Sequence, residues 1–383
     1  LGVLTETTGT DRAGNIHTVA AAVLLDADGK LAGVTLDELE LSVSADSTGK
    51  VTTPTDTRTK RQKGKDYPLA EVSGLKKGWA EQADAFGSWL EGKTPDEVKK
   101  LKTDADGKPT EADLLSGCTI AVDRYRDAVV RACEQAKALG AAQGDRATLS
   151  LIAADLPQDL AATDDQDAHV QADITLAALS VDSNGRVTSA IGDMTQPQLT
   201  VSADGTVSGP EEPVYTKNEQ GDKYGLREAS ALHKEWYEHA EGYCSTLKGK
   251  TMAEIAAQPT DGSDADLKAL CTISVTDLQK AVLAALAVWG IARARRTPAD
   301  TVRAEFRALY KKMCRCGLSE GVSSDQEEFK QFLREHTKTA APQEVETLLA
   351  LVQTAQFAPG PVSAQTAQQV RGLCRILRKN LHR

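Results

Sequence analysis

Aromatic residues, cysteines and long apolar runs are all scarce in this 383-residue chain. Aromatics make up 4%, so any core has to be built from Val, Leu, Ile and Ala. Seven cysteines, an odd number, do not make a disulfide scaffold at this length. The longest apolar run, residues 281–292, falls short of the roughly 18 residues that a membrane-spanning helix needs. The phosphate-binding G-x-x-x-x-G-K-[ST], the dinucleotide G-x-G-x-x-G, the zinc H-E-x-x-H, the nucleophile G-x-S-x-G and C-x-x-C are all missing. Collagen, a coiled-coil rod, a knottin and a polytopic membrane protein are thereby excluded. What remains has the balance of a soluble globular protein, with 40% hydrophobic and 26% charged residues.

Charge is unevenly spread. The chain carries a net −10. Residues 291–383 hold 16 basic and 9 acidic side chains, whereas residues 1–290 hold 29 and 46. An acidic body repels nucleic acid, because binding there depends on neutralising phosphates. The basic tail is compatible with membrane proximity or with an ordinary solvated helical surface.

An internal repeat sets the organisation. The segment from Thr59-Lys60 to Tyr67 recurs from Thr216-Lys217 to Tyr224, at an offset of 157. The match persists through Trp79 and Trp236 and through Gly92-Lys93-Thr94 and Gly249-Lys250-Thr251. After a four-residue deletion, Cys118-Thr119-Ile120 aligns with Cys271-Thr272-Ile273. Upstream, residues 26–29 match 182–185. Copies of this length suit complete domains in tandem, expected at 1–140 and 147–290.

Each copy reads as strands followed by helices, which predicts an α+β fold with an antiparallel sheet. Asp28-Gly29 and Asn184-Gly185 separate apolar β-rich runs, a hairpin signal that predicts a type I′ turn. The apolar spacing of residues 73–90 predicts a helix. Thr94-Pro95-Asp96-Glu97 and Thr251-Met252-Ala253-Glu254 both fit a helix-initiating capping box. Residues 118–122 and 271–275 read as a last strand before a final helix. Residues 147–152 form an extra strand ahead of copy 2, and Leu1-Gly2-Val3-Leu4 is its expected remnant in a trimmed chain. The apolar run 281–292, followed by Arg293, Arg295 and Arg296, predicts a soluble helix with one face on the sheet of copy 2. Residues 297–383 read as a small all-helical domain. Its helices are expected from Pro298, over 325–336 and 342–357, and from Ser363 after Pro359-Gly360-Pro361.

The repeated constellation of Thr59, Lys60, Tyr67 and Trp79, matched by Thr216, Lys217, Tyr224 and Trp236, carries what chemistry there is. It offers a cation, an amphipathic ring and a stacking face. Either the rings pin helix to sheet while Lys extends along them, or a planar ligand stacks there. The six histidines are scattered, so no metal site is expected. Acid pairs such as Asp26/Asp28 and Asp104/Asp106 read as turn formers.

On Tyr224-Gly225-Leu226-Arg227 and Lys234-Glu235-Trp236-Tyr237-Glu238, the chain resembles repeated extracytoplasmic, lipoprotein-like domains of Gram-positive gut bacteria, a group associated with flavin-mononucleotide-binding domains. In copy 1, Pro68 and Ala80 stand for Gly225 and Tyr237. The resemblance implies export and cell-surface attachment. It also implies FMN as an alternative cofactor, held by the last Thr of an S/T-G-A-T acceptor. Ser116-Gly117-Cys118-Thr119 is the nearest match and nominates Thr119. Phe306-Arg307-Ala308-Leu309-Tyr310 and Pro361-Val362-Ser363-Ala364 resemble the helical domain of unknown function at the end of transglutaminase-like membrane proteins. The function expected is therefore a non-enzymatic surface module that binds a small planar ligand or a cell-envelope component, or acts as a spacer, without a cofactor. The alternative is an FMN-binding electron-transfer protein.

Overall fold

A computed structural model of the chain describes residues 1–294, 298–319, 327–336, 342–357 and 362–381. Copy 1 opens with β1 (Gly2–Thr10), β2 (Ala13–Leu25), β3 (Leu31–Ala45) and β4 (Val51–Thr52), an antiparallel sheet in that order. The short helices α1 (Lys60–Lys63) and α2 (Leu69–Val72) follow. Next come α3 (Trp79–Leu90), α4 (Pro95–Lys99), α5 (Ala112–Leu115) and α6 (Asp123–Glu134). Copy 2 repeats this order with β5 (Arg146–Ala153), β6 (Ala168–Gln171), β7 (Ile174–Val181), β8 (Val187–Thr195), β9 (Gln198–Val201) and β10 (Val207–Ser208). Its helices are α7 (Lys217–Gln220), α8 (Trp236–Ser245), α9 (Met252–Ala256), α10 (Ala265–Leu270) and α11 (Thr276–Ala294). The fold is α+β.

The long strands β2 and β3 of copy 1 are each broken in two in copy 2, giving the sheets β5-β7-β8 and β10-β9-β6. Pro197 sits at the break between β8 and β9. It has no N–H to donate, so the ladder cannot run through it. The register is otherwise kept. Val3 faces Ala20 as Leu151 faces Leu176, so the first strand of copy 1 is a full nine-residue strand.

Alternation along the strands sets the layers. In copy 1, Ile16, Ala20, Leu39, Leu41 and Val43 point away from the helices, while Val19, Ala21 and Leu36 point towards α3 and α6. The outward set joins Leu149, Leu151, Ile174, Leu176, Val170 and Leu199 of copy 2 in one core. Two further cores lie between each sheet and its own helices. The result is four layers, helix–sheet–sheet–helix. The repeat boundary at 140–147 divides sequence, not core: residues Leu1–Gly290 form one compact unit.

Local structure departs from expectation in three places. The β2–β3 and β7–β8 connections are five-residue loops, not two-residue type I′ turns. Asp26 and Asp182 each accept two loop N–H groups on Oδ1, and only Gly29 and Gly185 take positive φ. The helix expected from Ser73 begins at Trp79. Lys76 has φ +52°, and Glu81 reaches back to the Gly78 N–H. Residues 118–122 and 271–275 are not strands, because their amides bond elsewhere: Thr119 N–H to the Gln82 side chain and Val122 N–H to the Gly107 carbonyl. The capping boxes at Thr94 and Thr251 form as read.

Helix α11 buries Leu278, Ala281, Val282, Ala285 and Leu286. Ser150 and Thr148 of β5 donate to its Ala281 and Ala285 carbonyls, each at 2.6 Å. No described helix is long and apolar enough to cross a membrane. Ile291–Arg383 forms a second unit. In it α12 (Pro298–Arg315), α13 (Glu327–His336), α14 (Pro342–Phe357) and α15 (Ala364–Asn380) enclose a core of Leu309, Met313, Phe329, Leu348, Val370 and Leu377. Ser363 caps α15 as expected. The expected roles of Arg295, Arg296, Asp325 and Pro359-Gly360-Pro361 fall outside the described residues.

A shared core predicts shared unfolding. Leu151→Ala removes a fully buried side chain from the layer between the sheets and is expected to cost about 2–5 kcal/mol. Hydrogen exchange should show protection falling equally in β2 and β7. Loss confined to copy 2 would contradict the single core.

Candidate functional site

The same buried carboxylate fixes the constellation in both copies. Asp37 on β3 and Asp193 on β8 occupy equivalent positions, offset by 156. Asp37 accepts from the Thr59 hydroxyl at 2.9 Å and from the Arg61 N–H at 3.3 Å. Asp193 accepts from the Asn218 N–H at 3.1 Å and from Thr216. Thr59 and Thr216, both buried, in turn cap α1 and α7 in complete capping boxes. Burial pushes Asp37 up to about 6 and Asp193 up to about 7, against the pull of these donors. Thr59 and Thr216 are therefore anchors, one layer behind any ligand.

With α1 anchored, Lys60 is delivered over the helix-facing side of the sheet. Its Nζ lies 2.9 Å from a carboxylate oxygen of both Glu38 and Glu40 and 5.1 Å from the centre of the Tyr67 ring. Glu38 is buried and fully engaged, by Lys60, by His17 from β2 and by the Tyr125 hydroxyl from α6. Trp79 Nε1 donates to the same Tyr125 oxygen at 3.0 Å. Arg124 closes the cluster against His17 Nδ1 and Glu6. Burial pushes Glu38 up, but the His17 hydrogen bond and the Lys60 charge outweigh it and hold the carboxyl at about 2. Burial likewise works against the Lys60 ammonium, and the two carboxylates outweigh it and raise its pKa.

Above this floor opens a cleft of about 620 Å³. Lys60, Tyr67, Trp79 and Thr119, four of the residues nominated from the sequence, all line it. Leu69, Ile120 and Val72, the last 80% exposed, give it an apolar side, and Ser73, Lys108 and Asp123 line it as well. The stacking role expected of tryptophan has no open ring face. Trp79 is 2% exposed and covered by the Arg61 guanidinium at 5.8 Å, and Trp236 is 6% exposed with Lys217 over its ring at 5.3 Å. Both pin helix to sheet.

The site in copy 2 has diverged. Positions held by His17, Glu38, Glu40, Arg124 and Tyr125 in copy 1 carry Asp173, Met194, Gln196, Asp277 and Leu278. Lys217 keeps its place, 4.6 Å from the Tyr224 ring. A second relay persists with one exchange. In copy 1, Gln82 donates to Ser73 Oγ and accepts from both the N–H and the hydroxyl of Thr119. In copy 2, His239 replaces Gln82: Nδ1 accepts the Thr272 N–H at 3.2 Å, so Nε2 carries the proton and donates to Ser230 at 2.8 Å. Ser230 also accepts the Leu232 N–H, an arrangement that holds a loop and activates no nucleophile.

His17, Glu38 and Glu40 bring donor atoms within 4.8 Å of one another, a grouping able to hold a metal ion that scattered histidines in the sequence gave no reason to expect. The Lys60 ammonium, 2.9 Å from both glutamates, already occupies the cation's place. His17 Nε2 is engaged with Glu38. Sequence reasoning also missed Asp37 and Asp193, although a signal was there: two acids, Asp37-Glu38, interrupt an otherwise buried strand between Leu36 and Leu39.

No protein-family model and no solved structure matches the chain. A chlorophenol reductase of Desulfitobacterium hafniense is 36% identical over 72 residues, which are 18% of this chain. The chain thus spans about a fifth of that relative, 22% of its length.

Two outcomes follow. Glu38 contributes stability that is complete above about pH 4.5 and lost as pH falls towards about 2. Glu38→Gln should remove that acid-limb loss. At neutral pH it should destabilise by about 3 kcal/mol, because Lys60 and His17 lose a buried partner. Urea melts across pH check both. His239 is fully buried, and burial lowers its pKa from 6.5. The unfolded chain therefore takes up that proton first, and stability falls as pH drops below 6.5. His239→Gln, which copies copy 1, should flatten this segment of a Tm–pH curve; an unchanged curve would remove His239 from the account.

Proposed function

We propose that the protein is a non-enzymatic binding module whose site is the cleft of copy 1. Its ligand is a small molecule with an apolar body and a polar head. The body lies against Leu69, Val72 and Ile120, and the head reaches Glu40, His17 and Arg124. One observation carries this reading: after duplication, copy 1 holds an open cleft above a charged cluster, and copy 2 carries uncharged side chains where Glu38, Glu40 and Tyr125 stand. A pure spacer gives no reason for keeping buried ionic groups that cost desolvation. Placement outside the cytoplasm, at the cell surface, belongs to the same proposal and rests on the resemblance to extracytoplasmic repeat domains.

The second reading, an FMN-binding electron-transfer protein, is favoured by the position of Thr119 on the cleft wall. The short match to a protein named as a reductase adds a little. The residues fit in part: Thr119 is accessible, but its hydroxyl donates to Gln82 at 3.1 Å, and Cys118, in the acceptor's Ala position, is buried.

Fluorescence titration with anilinonaphthalene sulfonate tests the first reading. Val72→Asp, at an exposed side chain, and Ile120→Asp, at a half-buried one that packs on the helix-facing core, are expected to weaken dye binding about tenfold, or ~1.4 kcal/mol. Unchanged binding rejects the cleft as the site. Incubation with FMN separates the second reading: flavin that stays with the protein through gel filtration and is lost in Thr119→Ala would support it over the first.

A further inference from the structure

We infer that residues 68–72, which carry α2, are a lid over the copy-1 cleft that closes when a ligand fills it. The inference rests on the reading of that cleft as the binding site. It starts from a clamp that copy 2 has and copy 1 lacks.

In both copies a strap of equivalent residues, offset by 157, joins the tyrosine to the helix that begins at the tryptophan. In copy 2 this strap is clamped. Glu235, 2% exposed, accepts the Leu226 and Arg227 N–H groups at 2.9 and 3.0 Å, one on each carboxylate oxygen. Arg227 in turn donates to the His233 carbonyl at 3.0 Å and pairs with Asp222 and Glu238, each at 2.9 Å. Hydrogen bonds of this kind, with one partner ionised, are the strong ones. In copy 1, Gly78, Ala70 and Lys65 stand where Glu235, Arg227 and Asp222 are. The turn that aims the two amides is missing as well. Gly225 has φ +81°, in the left-handed region, whereas its counterpart Pro68 has φ −77° and its ring holds it there.

The copy-1 strap is held at its two ends. Tyr67 packs on the helix-facing core with Lys60 over its ring, and Ser73 Oγ accepts from Gln82 at 3.0 Å. Between these points α2 has no buried residue. Among the described residues, the hydrogen bonds of 68–72 stay within the strap. The Glu71 N–H donates to the Pro68 carbonyl, the Ser73 N–H to the Leu69 carbonyl and the Lys76 ammonium to the Glu71 carbonyl. A segment with few buried contacts and no ties beyond itself opens and shifts at low cost in free energy. This one borders the cleft through Leu69 and Val72, with Ile120 and Arg124 lining it from a separate part of the chain. Val72 is apolar surface that the free protein leaves in water. Closing it over an apolar ligand takes both out of water. A lid has to be loose before binding and gain contacts after it. The missing clamp provides the first and Val72 the second; copy 2, with its clamp, carries only Ala229 at that position.

Hydrogen exchange of the full chain, read by mass spectrometry with and without anilinonaphthalene sulfonate, tests this. In the free protein, peptides within 66–74 should exchange at least about tenfold faster than their equivalents within 223–231. Saturating dye should slow the first set at least about threefold and leave the second unchanged. Equal exchange of the two straps in the free protein overturns the lid. Dye that binds the cleft without slowing exchange in 66–74 overturns the lid and leaves the site standing, whereas absence of dye binding rejects the site and the lid with it. Combining Pro68→Gly, Ala70→Arg and Gly78→Glu rebuilds the clamp. Gly78 has φ −70° and ψ 170°, close to the −76° and 165° of Glu235, so the backbone accepts a glutamate there. This variant should exchange in 66–74 as slowly as copy 2 does and take up dye at least about threefold more slowly in stopped flow. Dye uptake at the parent rate, with exchange slowed, overturns the lid.

Discussion

Each sheet of the larger unit has two apolar faces but only one set of helices to cover them. That constraint governs the rest of the structure. The uncovered faces, Ile16 to Val43 on one side and Leu149 to Leu199 on the other, can leave water only by packing on each other. Strand β7, buried along its whole length, shows the consequence most plainly. Polar ties across the join follow: Gln62 of copy 1 donates to the Leu151 carbonyl, and Glu219 of copy 2 pairs with Arg131 at 2.7 Å. These two residues stand at the same repeat position, the third residue of a capping box, so one local device serves both the helix start and the join between copies.

Once the copies share a core, their outer faces are free to diverge, because the apolar cores beneath the two sets of helices are separate clusters. The anchor stays constant: Asp37 with Thr59, and Asp193 with Thr216. What the anchor delivers does not. In copy 1 it brings Lys60 onto Glu38 and Glu40 beneath an open cleft; in copy 2 it brings Lys217 between two rings. The exchange of Gln82 for His239 keeps the loop contact to Ser73 or Ser230 and changes only the number of acceptors offered to the threonine beyond it.

Periodicity and repetition made the architecture legible. The strand–helix order and both capping boxes could be read because each depends on residues close in sequence. The face-to-face join could not, since an apolar strand face reads alike whether helix or sheet covers it. The loops at Asp26 and Asp182 were misread because Asp-Gly and Asn-Gly suit a type I′ turn as well as an Asx-stabilised loop. Of the residues that line the cleft, recurrence nominated Lys60, Tyr67 and Trp79, and the resemblance to a flavin acceptor nominated Thr119. His17, Glu38, Glu40, Arg124 and Tyr125 were not, because they have no counterparts in copy 2, and repetition finds only what both copies keep.

The buried ionisable groups of copy 2 oppose one another over one pH range. Asp193, raised to about 7 by burial, takes up its proton in the folded chain well before the unfolded chain does. Acidification from about pH 7 towards 3.8 therefore favours folding through this group. His239, lowered by burial, does the reverse below 6.5. Copy 1 has Asp37 but carries Gln82 in place of the histidine, so only the first effect operates there until Glu38 begins to protonate. The two halves of one cooperative unit thus share the aspartate response to mild acid, and only copy 2 sets a histidine against it. Because they share a core, the stability of the whole unit follows the sum, and substituting either Asp193 or His239 unmasks the other.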